Sequence, residues 1–243
     1  MTLLICASTQ QELAALFPAC AMPVSLSAQD NSLEVHRYRL KNREVFFCVT
    51  GVGPINAALA LGYCIAGAKA RNQPIDAVLN VGLAGAFDLH ALPLRTLCCV
   101  REEIWPEYGL HDGQSVTAGA FGFPLWERPD GMQVRDRLPL ADLDVCDAFG
   151  IPKPSDIFVE CRSLTVAGVS ASFARAQTLR SAYRADIENM EGFAVAYACA
   201  RDNIPCMEIR SVSNKVGARA KDEKDFDGAL QALARVLPEF TFL

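Results

Sequence analysis

Two carboxylates, one guanidinium and one amide stand at places where an α/β chain carries its chemistry. Glu12 closes Ser8-Thr-Gln-Gln-Glu12, just after a short apolar run. Glu191 lies in Glu188-Asn-Met-Glu191-Gly, at the start of an apolar helical pattern, and Arg210 ends the apolar run Cys206-Met-Glu-Ile209. Asn214 follows it after Ser-Val-Ser. Each residue also has a structural reading. Thr9-x-x-Glu12 is a capping box. Glu191 suits the positive end of a helix dipole. Arg210 is either one half of an ion pair or a site group. Asn214 suits a turn, and Phe173, just after a strand, suits a core. Gly51-Val-Gly53 and Gly82-Leu-Ala-Gly85 let a ligand approach the backbone closely. Neither has the GxGxxG spacing, and no P-loop lysine follows. Taken singly, none of these residues decides a function.

The elements that must hold them are legible as apolar runs and their interruptions. Thr2–Ala7 reads as a buried strand, and a helix runs from Thr9 to Phe17. Residues 33–40 and 44–50 read as a hairpin turning at 41–43. Pro54 opens a long apolar helix to Lys69, since proline costs little in a first turn. Residues 76–81 and 94–100 read as strands. From 101 to about 154 the pattern weakens, and so long an irregular stretch usually serves as a functional loop or lid. A strand over 163–170, helices over 174–184 and 189–202, a strand over 205–212 and a last amphipathic helix over 225–237 complete the reading. Strand and helix alternate. The expected fold is therefore α/β: a three-layer αβα sandwich around a central mixed sheet, in one domain over 1–243. Ligands in such sheets sit beyond the strand ends, here 8–12, 51–54, 82–86, 170–174 and 210–214.

Composition narrows the function classes. The 243 residues carry 23 Lys and Arg against 28 Asp and Glu, a net charge of −5, which disfavours a nucleic-acid partner. The 51% hydrophobic content excludes a disordered chain. The longest apolar stretch, 55–70, is too short for a membrane span and contains Asn56, Gly62, Gly67 and Lys69. Met1–Ala7 lacks the basic start of a signal peptide. The 10 cysteines are scattered with no CxxC pair, so they read as reduced core residues of a cytoplasmic protein. The three histidines show no ligand spacing, and neither a metal nor a cofactor is expected.

Taken together, the motifs occur in a known order. Ile5-Cys-Ala-Ser-Thr-Gln-Gln-Glu12-Leu, Gly51-Val-Gly53 before an Ala-rich helix, Asn80-Val-Gly-Leu-Ala-Gly85-Ala, Asn189-Met-Glu191-Gly-Phe-Ala and Arg210-Ser-Val-Ser-Asn214 resemble the purine nucleosidase/phosphorylase family. The resemblance spans the chain apart from about 101–160. Glu-Asn-Met-Glu-Gly with Ser-Asn looks typical of its futalosine-cleaving branch, which is similar to the methylthioadenosine/adenosylhomocysteine nucleosidases. That branch implies hydrolysis of futalosine to hypoxanthine in menaquinone biosynthesis. A methylthioadenosine or aminofutalosine nucleosidase, and a silent nucleoside-binding relative, remain as alternatives.

The resemblance also implies roles. Glu12 matches the base that takes a proton from the attacking water. Glu191 matches the carboxylate on the ribose hydroxyls, close to the developing cation. Met190 packs on the ribose, Phe173 stacks on the purine, and Ala84 and Gly85 border it. Arg210 orients Glu12 or the water. Asn214 faces the base. A purine leaving with a proton on N7 shows a donor there, and a 6-oxo group beside it is an acceptor. One amide matches that pair, whereas a 6-amino group would call for two acceptors. Phosphate-using relatives carry a cation and a hydroxyl where this chain has Asn80 and Leu83, so water is the expected nucleophile. Adenosine-type nucleosidases carry Ser at the place of Leu83, a departure that removes one water contact. Arg101, His111, Lys215 and Arg219 are candidates for the 5′ carboxylate of the substrate. The family completes this pocket from a neighbouring subunit, which implies a homodimer or larger homo-oligomer.

Overall fold

A computed structural model describes residues 2–17, 35–40, 43–113, 115–141, 157–217 and 223–239. β1 (Thr2–Ala7), β3 (Arg43–Val49) and β4 (Ala77–Ala86) pair in parallel, and their apolar runs suit strands covered on both faces. β2 (Val35–Leu40) edges β3 in antiparallel register, as the hairpin pattern predicts. Beyond β4 the sheet curls. β4 pairs in parallel with β13 (Cys206–Lys215) and antiparallel with β12 (Ile187–Asn189). β13 pairs with β5 (Leu97–Ile104), β5 with β11 (Phe158–Thr165), and β11 with β12. These five strands close a circuit of pairings, with β10 (Arg137–Pro139) on the outer edge of β5. The length of β4 makes this closure feasible. Its first residues pair with β1, and its last two, Gly85 and Ala86, pair with β12.

Period-two alternation sends neighbouring residues of β1 into two cores. Leu3 and Ile5 pack with Leu13 and Leu16, around α1 (Gln10–Ala15), and with Leu233 of α5 (Phe226–Leu233). Leu4 and Cys6 pack with Leu61 and Cys64 of α2 (Pro54–Ala70) and Val195 of α4 (Gly192–Arg201). α3 (Phe173–Tyr183) lays Ala176 against Leu164 and Val166. The mixed sheet between helical layers is the expected architecture. Eight of the ten cysteines fall in the described residues, all free and buried; Cys20 and Cys146 lie outside them.

Several boundaries differ from the sequence reading. Residues 82–85 do not lie beyond a strand end: β4 runs straight through them to Ala86. The strand expected over 163–170 is Phe158–Thr165, and the apolar pattern carries on because Val166 is buried in the α3 core. The strand expected over 94–100 runs on to Ile104, its end disguised by Arg101-Glu-Glu103. The helix expected from 189 starts at Gly192, after a short strand. Within 101–154 lie two small hairpins, β6 (Leu110–His111) with β7 (Val116–Thr117) and β8 (Trp126–Glu127) with β9 (Gln133–Val134); residues 142–156 lie outside the described residues.

Candidate active site

The ends of β1, β4 and β13, the Gly51–Gly53 turn and the start of α4 converge on one buried polar cluster. Glu12 is both cap and site group. Its Oε2 accepts from the Thr9 N–H (2.9 Å), the Thr9 hydroxyl (2.8 Å) and the Ser8 hydroxyl, while the Thr9 Oγ1 accepts from the Glu12 N–H (3.2 Å). Its Oε1 reaches β4 and accepts from the Leu83 N–H (2.9 Å). The capping box therefore holds one oxygen and leaves the other against the backbone of β4.

Glu191 occupies the N-cap position of α4 but makes no cap bond with its own side chain. Asn189 does that work instead, its Oδ1 accepting from the Glu191 and Gly192 N–H groups at 2.8 and 2.7 Å. The Glu191 carboxylate is thus free to accept from the Gly53 N–H (3.0 Å) and to face Arg210 Nη1 at 3.5 Å. Gly53 has φ +94°, a conformation that disfavours a side chain. Burial pushes the Glu191 carboxyl up, while Arg210 and the Gly53 N–H pull it down.

Arg210 is almost wholly buried. Nε donates to Glu208 Oε1 at 2.7 Å, whereas Nη2 has no partner among the described residues. Burial alone would lower its pKa. Glu208, Glu191 and Glu12 outweigh that, so the net shift is upward and the charge is retained. Of the two roles expected for Arg210, orienting Glu12 or orienting the water, the first is not made by a hydrogen bond among the described residues. Ser8, Thr9 and the Leu83 N–H orient Glu12, because Arg210 is drawn to Glu208 and Glu191. The close approach is made at Gly82, where a Cβ would lie 2.5 Å from Arg210 Nη1 and 2.9 Å from Glu12 Oε1. The missing side chain makes room for these two groups, a different use from the close approach of a ligand expected from the sequence.

Behind them lies a layer that sequence reasoning missed. Glu208 Oε2 accepts from Asn80 Nδ2 (3.2 Å), and Asn189 Nδ2 faces Glu103 Oε1 (2.6 Å), Ser163 Oγ (2.6 Å) and Glu208 Oε1 (3.3 Å). Glu103 is fully buried. Burial first, then repulsion from Glu208, holds its carboxyl well above the usual range. One signal for Glu208 was available: a charge inside an apolar strand, two residues from Arg210 and so on the same face. Asn80 is committed to this layer, its Oδ1 accepting from the Cys6 thiol.

At the other end, Asn214 follows a bulge between Val212 and Asn214 in β13. Its Nδ2 donates to the Lys215 carbonyl (3.1 Å), and the Ser213 hydroxyl lies 2.9 Å from its Oδ1 and 3.2 Å from the Ala84 carbonyl. A carbonyl can only accept, so Lys215 sets which way the amide faces. A Cβ at Gly85 would lie 2.9 Å from Asn214 Nδ2. Gly85, Asn214, Ser170, Glu188 and Phe226 share a cavity of about 190 Å³. Phe173 is not among its lining residues; its ring is exposed, with Lys215 Nζ 5.2 Å from the centroid. Phe226 is the aromatic in that place. Met190 is half-buried beside Glu191, and Ala84 is buried. Among the four residues considered for a 5′ carboxylate, Arg101 pairs with Glu160 (2.7 Å) and Lys215 with Glu223 (2.9 Å). His111 Nδ1 accepts from the Gly113 N–H, and Arg219 lies outside the described residues.

Known proteins match this chain in sequence and in fold. A profile described as the Phosphorylase superfamily matches residues 2–241. Futalosine hydrolase of Thermus thermophilus is 34% identical over 201 residues, 82% of this chain and 81% of the relative. Futalosine hydrolase of Streptomyces coelicolor is 30% identical over 75% of this chain and 72% of its own. Aminodeoxyfutalosine nucleosidase of Campylobacter jejuni is 25% identical over 99% and 96%. A solved structure of a Helicobacter pylori futalosine hydrolase mutant superposes with a TM-score of 0.74 at 18% identity, covering 98% of this chain and 97% of that one, a likeness of fold. With the profile spanning nearly all its residues and two such relatives above it, this chain belongs to the phosphorylase superfamily.

Proposed function

We propose that this chain is an N-glycosyl hydrolase that cleaves futalosine, releasing hypoxanthine and dehypoxanthine futalosine, as a step of menaquinone biosynthesis. The observation that carries the choice of substrate is the Asn214 amide, held in one orientation beside Gly85 in the cavity. Its carbonyl accepts the proton on N7 of the departing base, and its NH₂ donates to O6. Against the protonated 6-amino base, one polar group is left unpaired, at a cost of about 1–3 kcal/mol. The names of the Thermus thermophilus and Streptomyces coelicolor relatives agree with this reading.

Glu12 takes a proton from the attacking water, and Arg210 Nη2 is a donor for that water's oxygen. Glu191 accepts from the ribose hydroxyls, places negative charge near the oxocarbenium-like centre, and has Met190 beside it. Phosphate is disfavoured as the nucleophile. Arg210 is already matched by Glu208 and Glu191, and Asn80 is bound to Glu208. The thiol-rich buried core fits a cytoplasmic protein. A homodimer or larger assembly is supported by the exposed apolar stripe Ile55, Leu59 and Tyr63 on α2, which lies beside an apolar groove at Trp105, Phe193 and Tyr197.

The test is a chromatographic assay of futalosine, aminofutalosine, methylthioadenosine and inosine, with and without phosphate. The expected result is phosphate-independent release of hypoxanthine from futalosine and no turnover of methylthioadenosine. Faster release of adenine would overturn the reading in favour of an adenosine-type nucleosidase.

A further inference from the structure

Gly85 has a registered partner on each side: Asn214 across β13 and Glu188 across β12. All three line the same cavity. Neighbouring strands lie about 4.8 Å apart, so an amide and a carboxylate stand on opposite flanks of a floor that has no side chain. Glu188 is 6% exposed, yet among the described residues no cation pairs with it. Ser170 holds it, with the N–H on Oε1 at 2.8 Å and the hydroxyl on Oε2 at 2.6 Å. Arg175 Nε reaches the Ser170 Oγ (3.2 Å), one bond removed from the carboxylate. A carboxylate offers about four acceptor positions, and Ser170 uses two. Glu188 is thus a buried acceptor with spare capacity, facing the cavity that holds Asn214.

Along one edge of a purine the order is N7, the C6 substituent, N1. A 6-oxopurine with a proton on N7 presents donor, acceptor, donor. A 6-aminopurine presents a bare N1 lone pair at the third position. We infer that Glu188 is a second specificity-determining residue, whose carboxylate accepts the N1–H of a 6-oxopurine while Asn214 reads N7 and O6. The inference rests on the proposed function, and it assigns the third position of the base edge, which Asn214 cannot reach. Against a 6-aminopurine the carboxylate meets another lone pair, so both flanks of Gly85 reject the same base.

The test compares kcat/KM for futalosine, its 1-deaza analogue (C–H in place of N1–H) and aminofutalosine, in the wild type and in Glu188→Gln. A lost hydrogen bond to a charged group corresponds to about a 10–100-fold drop. That drop is expected for the 1-deaza analogue with the wild type. Glu188→Gln, whose amide can also donate, should shrink the deaza penalty and lower the futalosine-to-aminofutalosine ratio about tenfold. The deaza measurement needs no variant, so it stands even if Glu188→Gln folds poorly. Equal rates for futalosine and its 1-deaza analogue in the wild type would overturn the inference. So would a Glu188→Gln variant that slows both bases alike, the mark of a purely structural bond to Ser170. No hypoxanthine from futalosine itself would overturn the proposed function, and this inference with it.

Discussion

The two ends of the candidate site are built on opposite electrostatic plans. At one end Glu12, Glu191 and Glu208 surround Arg210, with Glu103, whose carboxyl is pushed well up by burial, behind them. At the other, Glu188 and Asn214 are held by Ser170, Ser213 and backbone groups, with no direct cation among the described residues. The charged end is suited to moving a proton and bearing a cationic transition state, where full charges matter most. The second end, where Lys224 also lines the cavity, is suited to discriminating, since hydrogen-bond direction is what separates a 6-oxo from a 6-amino base. Substitutions at the first end should therefore act on rate, and those at the second on choice.

The sharpest separation is expected from Glu12→Gln. Loss of a general base should lower kcat by about 10²–10⁴-fold while nucleoside affinity, measured by calorimetry, is retained. The altered capping box should cost only about 1 kcal/mol in a denaturant titration. Unchanged turnover would remove Glu12 as the base. A smaller effect, of the other kind, is expected from Asn214→Asp: a shift of about tenfold in kcat/KM ratio towards aminofutalosine, with total activity largely kept. If Asn214→Asp instead abolishes turnover of both substrates, the division between the two ends fails.

The smallest effect concerns stability. Glu103 and Glu191 have folded-state pKa values above their unfolded ones, so between those values the folded protein binds more protons. Stability should then fall as pH rises from about 4.3, the ordinary glutamate value. Glu103→Gln mimics the protonated acid and should flatten that fall, read as urea midpoints between pH 5 and 9. An unchanged fall in Glu103→Gln would show that the buried carboxyl is charged over that range.

The motif residues were legible because each stands next to a strong local signal. Thr9-x-x-Glu12 announces its helix, and Arg210 interrupts an apolar run. The central strands and helices were legible for the same reason, their apolar runs being long. What was not legible has identifiable causes. Gly82 and Gly85 read as lying beyond a strand end because glycine is permissive, but here they continue the strand and make room for neighbouring side chains. Glu103 lies in the stretch with the weakest pattern, and its partner Glu208 is more than a hundred residues away. Glu188 and Phe226 carry no pattern that distinguishes them from any surface glutamate or core phenylalanine.

The sequence by itself determined the family, the alternation of strand and helix, and the identity of the groups at the strand ends, because these depend on local periodicity and ordered motifs. Tertiary structure alone decided how those groups are divided. Closure of β4, β13, β5, β11 and β12 into a circuit brings Glu103 and Glu208 to the same buried amide and sets Glu188 and Asn214 on either side of Gly85. Which carboxylate is paired, which keeps a proton and which faces the cavity depends on neighbours supplied by distant segments, and chain order does not contain that information.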